Sequence, residues 1–331
     1  MKTLAIHGGA GALPKSEMTQ ERAQEFHEAL RYVLHVGYSC LNQGKPSLDA
    51  VEASVVALED NPLFNAGRGS SFNRDGKIEM EAALMDGITL KAGASSLLRN
   101  VRNPVKLARK VMEKTPHVLL SAYAAEVFAQ SEGLVMEADD YFFTTYRYEA
   151  MLKIRGSNKT PLSEDVVVPA SLHSFTMSTV GAVACDVNHN LAAASSSGGT
   201  TNKYAGRVGQ SCIVGAGVYA NNKTCAVSCT GLGEAFMRAL TAYDLSAQME
   251  YKGSSLVDAA REVIHKKLNA NGGLVSIDSK GGIAIQYTTQ GMYRGWVTQE
   301  GRIFTAIYDS CFEWDLSGKV KSKDIKDPFN S

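Results

Sequence analysis

A threonine stands where a loose polar stretch gives way to an apolar one, in Ser178-Thr179-Val180-Gly181-Ala182-Val183-Ala184. A hydroxyl is not acidic near neutral pH, so a nucleophilic Thr needs a base beside it. A freed α-amino group on the same residue can serve, because its pKa of about 8 lies far closer to neutrality than that of Lys. Such an enzyme first cuts its own chain at the bond between Ser178 and Thr179. The plainer alternative is a β-branched residue that opens a strand.

Other segments set polar groups among glycines. Ser195-Ser196-Ser197-Gly198-Gly199-Thr200-Thr201-Asn202 is dense in hydroxyls, suited to orienting a nucleophile or to an ordinary loop. In Gly206-Arg207-Val208-Gly209-Gln210-Ser211 a lone Arg stands between glycines. Its planar fork matches a carboxylate and the glycines let a small substrate approach, unless it is simply a surface Arg. Ser228-Cys229-Thr230-Gly231-Leu232-Gly233-Glu234 joins a strand to a helix, either as a plain helix entry or as a source of N–H and hydroxyl donors for the oxyanion of acyl transfer. His7-Gly8-Gly9-Ala10-Gly11 follows a strand, yet it has neither the dinucleotide nor the P-loop glycine spacing. The Gly-x-Ser-x-Gly elbow of α/β-hydrolases is also missing from the chain.

The elements that must hold these groups can be read from periodicity. A strand fits residues 2–7, and helices fit 18–42 and 47–58. Strands fit 70–72 and 78–85 across the turn Asn73-Arg74-Asp75-Gly76. Helices follow from Asn103-Pro104, near 120–130 and over 145–154. Residues 155–178 read as an exposed linker. Beyond it, strands fit 179–186, 190–196, 213–219, 224–229, 274–278, 282–287 and 303–308, and helices fit 233–248 and 254–269. This is not the strand–helix alternation of a doubly wound sheet, and two central sheets between helical layers fit it better.

Composition narrows the function classes. Among 331 residues, 34 basic and 34 acidic side chains leave no broad positive field for nucleic acid. The start is too short in apolar residues for a signal peptide and no stretch approaches a membrane span, so the expectation is a cytoplasmic protein. Six cysteines without Cys-x-x-Cys spacing read as free thiols, and seven scattered histidines suggest no catalytic metal.

Taken together, the segments resemble the plant-type asparaginase/isoaspartyl aminopeptidase family. The likeness runs through His7-Gly8-Gly9-Ala10-Gly11, Pro62-Leu63-Phe64-Asn65-Ala66-Gly67, Met85-Asp86-Gly87, Lys91-Ala92-Gly93-Ala94 and Asn103-Pro104. It resumes at Thr179-Val180-Gly181-Ala182-Val183-Ala184, Gly198-Gly199, Asn202-Lys203, Gly206-Arg207-Val208-Gly209 and Thr230-Gly231. The resemblance implies an α+β chain folded as a four-layer αββα sandwich, the N-terminal-nucleophile hydrolase fold. It implies a precursor that cuts itself into an α piece, 1–178, and a β piece, 179–331, and then forms a dimer of such pairs. Thr179 corresponds to the nucleophile and Ser197 to a hydroxyl bonded to it. Thr230 and Gly231 match the oxyanion donors, and Arg207 the holder of the substrate α-carboxylate. Gly233 and Asn65 are expected nearby. Backbone carbonyls of Leu58, Glu59, Asn61, Phe64, Ala66 and Arg68 resemble a loop around a structural sodium ion, with no cofactor needed for catalysis. The implied substrates are L-asparagine and β-aspartyl dipeptides.

Three residues depart from that pattern. Ser197 replaces a Thr and keeps the hydroxyl. Ser178 replaces the Gly that usually precedes the nucleophile. Gln210 stands where the family has an Asp that pairs with the substrate α-ammonium, and losing that charge costs about 1–3 kcal/mol of binding. On this reading Arg207 lacks a balancing anion. Two rival functions follow, an amidohydrolase of the same mechanism whose substrate has no free α-amine, and an uncleaved binding protein.

Overall fold

The computed structural model describes residues 2–155, 179–268, 270–315 and 317–329, so the linker expectation and Ser178 lie outside the described residues. β1 (Thr3–Ala10) is buried along its whole length. It runs antiparallel to β11 (Met292–Val297) on one side and to β5 (Val180–Cys185) on the other. An apolar run such as Leu4-Ala5-Ile6 suits a strand covered on both faces.

From β5 the sheet continues through β6 (Leu191–Ser197), β2 (Met80–Asp86), β3 (Ala92–Leu98) and the short β4 (Leu119–Ser121). Beyond β11 it continues through β12 (Ile303–Ala306), β13 (Ser310–Trp314) and β14 (Val320–Lys326), giving ten strands. A second sheet orders β10 (Ile283–Tyr287), β9 (Gly272–Asp278), β8 (Cys225–Gly231) and β7 (Val218–Ala220).

Strand alternation sorts the core. Leu4, Ile6, Ala182, Ala184, Ala192 and Ala194 pack on α1 (Gln20–Asn42) and α2 (Ser47–Glu59), through Leu30, Val33, Leu34, Val51 and Val55. The intervening Ala5, Ala83, Val183 and Ala193 meet Ala226, Val275 and Ile277 of the second sheet. That sheet turns Val227, Cys229, Leu274 and Ala284 toward three further helices. A separate cluster joins β2 and β3 to α3 (Pro104–Lys114), α4 (Ala122–Ser131), α5 (Asp139–Phe142) and α6 (Thr145–Arg155).

Several expectations shift in detail. The helix expected over 233–248 is two, α7 (Gly233–Ala239) and α8 (Thr241–Lys252), because Leu240 takes a left-handed φ of 48° between them. The next helix begins as α9 (Leu256–Arg261) and widens into a π turn over Glu262–Lys267. Phe72 makes only an isolated bridge to Ile78, and residues 213–217 form turns ahead of β7 rather than a strand. All six cysteines are free thiols. Among the described residues no helix is long and apolar enough to cross a membrane.

Candidate active site

Three strand ends meet at one place. Thr179 immediately precedes β5, Ser197 ends β6, and Thr230 and Gly231 end β8. β5 and β6 lie side by side with Val180 opposite Ser196, which brings the first residue ahead of one strand to the last residue of the other. Thr179 is only 3% exposed.

Its hydroxyl is the centre of a polar cluster. Thr179 Oγ1 donates to Ser197 Oγ at 3.2 Å, lies 3.3 Å from Ser211 Oγ, and accepts from Gln210 Nε2 at 3.3 Å. Ser197 Oγ also accepts from Gly199 N at 2.9 Å. Behind it, Asn65 Nδ2 donates to Gly199 O and Asn65 O accepts from Gly198 N, so Asn65 fixes the turn that carries Ser197.

Thr230 is fully buried, and its hydroxyl oxygen accepts from Ala10 N at 3.1 Å and from Thr179 N at 3.2 Å. Both lone pairs are thereby occupied, and its O–H proton is left to donate elsewhere. Gly231 has φ 144°, and a Cβ there would lie 2.6 Å from Asn271 O, so no side chain fits beside its N–H.

The glycine-rich start of the chain also reaches this point. His7 is fully buried; its Nδ1 is 2.9 Å from Thr179 O and its Nε2 is 2.8 Å from Ser228 Oγ. A carbonyl can only accept, so Nδ1 carries the proton and Nε2 accepts from the Ser228 hydroxyl. Burial drives the imidazole pKa down to about 3, against a smaller upward pull from the Thr179 carbonyl, and it is neutral at physiological pH.

A second patch borders the first. The Arg207 side chain is 11% exposed, and its Nε and Nη2 each donate to Glu234 at 2.9 Å. Burial alone would lower this guanidinium, but the bonds from Glu234 hold it above its ordinary value. Cβ atoms on Gly209 or Gly233 would lie 2.8 Å and 2.7 Å from its two Nη atoms, and the one on Gly233 would also lie 2.6 Å from Gln210 Oε1. Arg207 and Gln210 thus converge on Gly233. Neutral hydroxyls around a buried Thr, next to a guanidinium, suit attack on an acyl carbon of a small carboxylate-bearing molecule.

The family model described as Asparaginase matches residues 1–307. This chain belongs to that family. It is 46% identical over 308 residues to the isoaspartyl peptidase of Escherichia coli strain K12, covering 92% of this chain and 95% of that one. It is 47% identical to the isoaspartyl peptidase of Salmonella typhimurium, covering 92% and 98%. The probable isoaspartyl peptidase/L-asparaginase 2 of Arabidopsis thaliana is 37% identical over 324 residues, covering 92% and 98%.

Within this asparaginase-family chain the structure brings together Thr179, Ser197, Thr230, Gly231, Arg207, Gln210, Gly233 and Asn65. One expectation is corrected: Arg207 has a balancing anion, because Glu234 takes its fork. Gly209 and Gly233 are the glycines against Arg207, whereas a Cβ on Gly206 would meet open space. Besides Glu234, two residues were missed by sequence reasoning. Ser211 is the residue after Gln210, and its hydroxyl joins the cluster because the turn Gln210–Cys212 points both side chains at Thr179. His7 reaches Thr179 from 172 positions away, and only strand pairing between β1 and β5 reveals it.

Proposed function

We propose that the chain is a threonine-nucleophile hydrolase that cuts itself before Thr179 and then cleaves β-aspartyl dipeptides and the side-chain amide of L-asparagine. The single observation that carries this reading is Thr179, with its hydroxyl among Ser197, Ser211 and Gln210 and its nitrogen on Thr230. The names of the relatives support the substrate class. The packing of helices, two sheets and helices supports a four-layer αββα sandwich of the N-terminal-nucleophile hydrolase type.

In the first step Thr179 Oγ attacks the side-chain carbonyl while its proton passes to the freed α-amine of the same residue. The oxyanion takes bonds from the Thr230 hydroxyl and the Gly231 N–H. The intermediate collapses, the C–N bond breaks, and the departing amine takes the proton back from the α-ammonium. Water, activated by the same amine, then attacks the ester, and aspartate leaves with Thr179 restored. Arg207 holds the α-carboxylate throughout, and its Glu234 partner keeps the guanidinium edge turned toward Gly233.

Carbonyls of Leu58, Glu59, Asn61, Phe64, Ala66 and Arg68 would hold a sodium ion in the loop that carries Asn65. The donor set is neutral oxygen, which suits a monovalent ion, and among the described residues no cluster of His, Cys, Asp and Glu is arranged for a metal. The ion would supply no chemistry, only a fixed loop. A dimer of α–β pairs working in the cytoplasm, with no nucleic-acid or membrane partner, completes the reading. The test is release of leucine from β-aspartyl-leucine by the wild type, with Thr179→Ala both uncut and inactive. A Thr179→Ala protein cut at the same bond removes the assignment.

A further inference from the structure

We infer that Gln210 makes this site select β-aspartyl compounds whose α-nitrogen is uncharged, acylated or absent, over those with a free α-ammonium. The inference rests on the Thr179 chemistry proposed above and names the substrate class more narrowly.

The argument starts from reach. Gln210 contacts the nucleophile through Nε2, at 3.3 Å from Thr179 Oγ1. Its other end, Oε1, faces Gly233 in the space it shares with Arg207 Nη2. In a β-aspartyl substrate the α-carbon is two bonds from the attacked carbonyl. With the carbonyl at Thr179 and the α-carboxylate on Arg207, the α-nitrogen falls beside Gln210 Oε1.

Donor counting then decides what can sit there. Gln210 is 2% exposed, so a group against it is stripped of water. An acylated nitrogen brings one N–H, which the single Oε1 satisfies. An ammonium brings three donors and a full charge, and meets one neutral acceptor. The ammonium's bond to that oxygen is still charge-assisted, but an amide oxygen supplies no countercharge to a cation stripped of water, whereas a carboxylate would.

Of the neighbouring carboxylates, one is committed to Arg207 and the other lies behind Gly209. Glu234 and Glu81 both act on Arg207. Glu234 holds the guanidinium through both oxygens. Glu81 accepts from Gly209 N through Oε2 at 2.8 Å, and its Oε1, which has no hydrogen-bond partner, is buried behind Gly209, 2.7 Å from where a Cβ on that residue would lie. Lys203 adds a buried cation on the same side, its Nζ on Glu79 O at 2.7 Å.

The experiment compares kcat/KM for β-aspartyl-leucine, its Nα-formyl form and succinyl-leucine, which lacks the amine altogether. With the wild-type protein the uncharged substrates are expected to exceed the free amine by about tenfold or more. Gln210→Asp is expected to reverse that order. Succinyl-leucine guards against a formyl group that is merely too large, since it is smaller than the free-amine substrate. Equal rates on charged and uncharged substrates, or a preference for the free amine, overturn the inference while leaving the hydrolase reading intact; the second result would make Glu81 Oε1 the acceptor of the ammonium. Turnover of none of the three, with asparagine also untouched, removes the hydrolase reading and this inference with it.

Discussion

At the scale of single residues, the site depends on hydroxyls whose hydrogen-bond capacity is already allotted. Thr230 accepts twice and therefore has one proton to give. Thr230→Val keeps the shape and removes that donor, along with the acceptor for Ala10 N and Thr179 N. Such a variant is expected to lose about 100-fold or more in kcat with a smaller change in KM; unchanged kcat would show that the oxyanion is held elsewhere. Gly233→Ala sets a methyl against Arg207 and Gln210 at under 3 Å. It is expected to raise KM far more than it lowers kcat, and a steady-state titration with β-aspartyl-leucine separates the two.

His7 and His27 give the molecule an acid limit. Burial lowers His7 to about 3, and burial with Arg294 and Lys323 lowers His27 to about 4. In the unfolded chain both take up a proton near pH ~6.5. Between that value and the folded ones the unfolded state binds more protons, so stability present above pH ~6.5 is lost as the pH falls. Denaturant midpoints are expected to decline from pH 6.5 toward 4, and less steeply for His27→Gln. A parallel decline in the two proteins contradicts the neutral, buried imidazole at that position.

At the scale of elements, the site is set by where strands stop. β5 starts one residue after Thr179, while β6 and β8 end at Ser197 and Gly231. The strands were legible because turn residues bracket short apolar runs, although the expected ends at 196 and 229 stop short of Ser197 and Gly231. The first two helices were legible too, since Ala23, Phe26, Leu30, Val33 and Leu34 repeat at helical spacing and α1 spans Gln20–Asn42. Local pattern failed where pairing partners decide. β11, β13 and β14 went unrecognised because Gly295 in one and Lys321, Lys323 and Asp324 in another weaken the apolar signal, and only the growing sheet edge orders them. The break at Leu240 has no Gly or Pro to announce it.

Glu59 ties two elements together, since the last residue of α2 accepts from Val105 N in the first turn of α3. Burial lifts its carboxyl to about 8, against smaller downward pulls from Ser196, Val105 and Asn103. The folded pKa lies above the unfolded one, so the folded state binds more protons between pH 4.5 and 8, and stability falls as the pH rises through that window. Glu59→Gln keeps the acceptor and removes the titration. It is expected to gain on the wild type at pH 8 and to match it at pH 4.5 in thermal melts; an equal difference at both values would mean that Glu59 is ionised in the fold.

At the scale of the whole molecule, the stretches on either side of the proposed cut are woven together. β1 lies between β11 and β5, and β2 pairs with β6, so residues before 155 and after 179 share one continuous ladder. Breaking the bond before Thr179 therefore leaves a particle that holds together until it is denatured. The resemblance to asparaginases was legible in motifs scattered over the chain, yet the reason for their scatter was not: β1 and β5, far apart in sequence, bring His7 to Thr179. The most direct measurement is the intact mass of the active protein under denaturing conditions. The account requires two masses, for residues 1–178 and 179–331, in a preparation that turns over β-aspartyl substrate. A single uncut chain of 35.5 kDa with full turnover would contradict it.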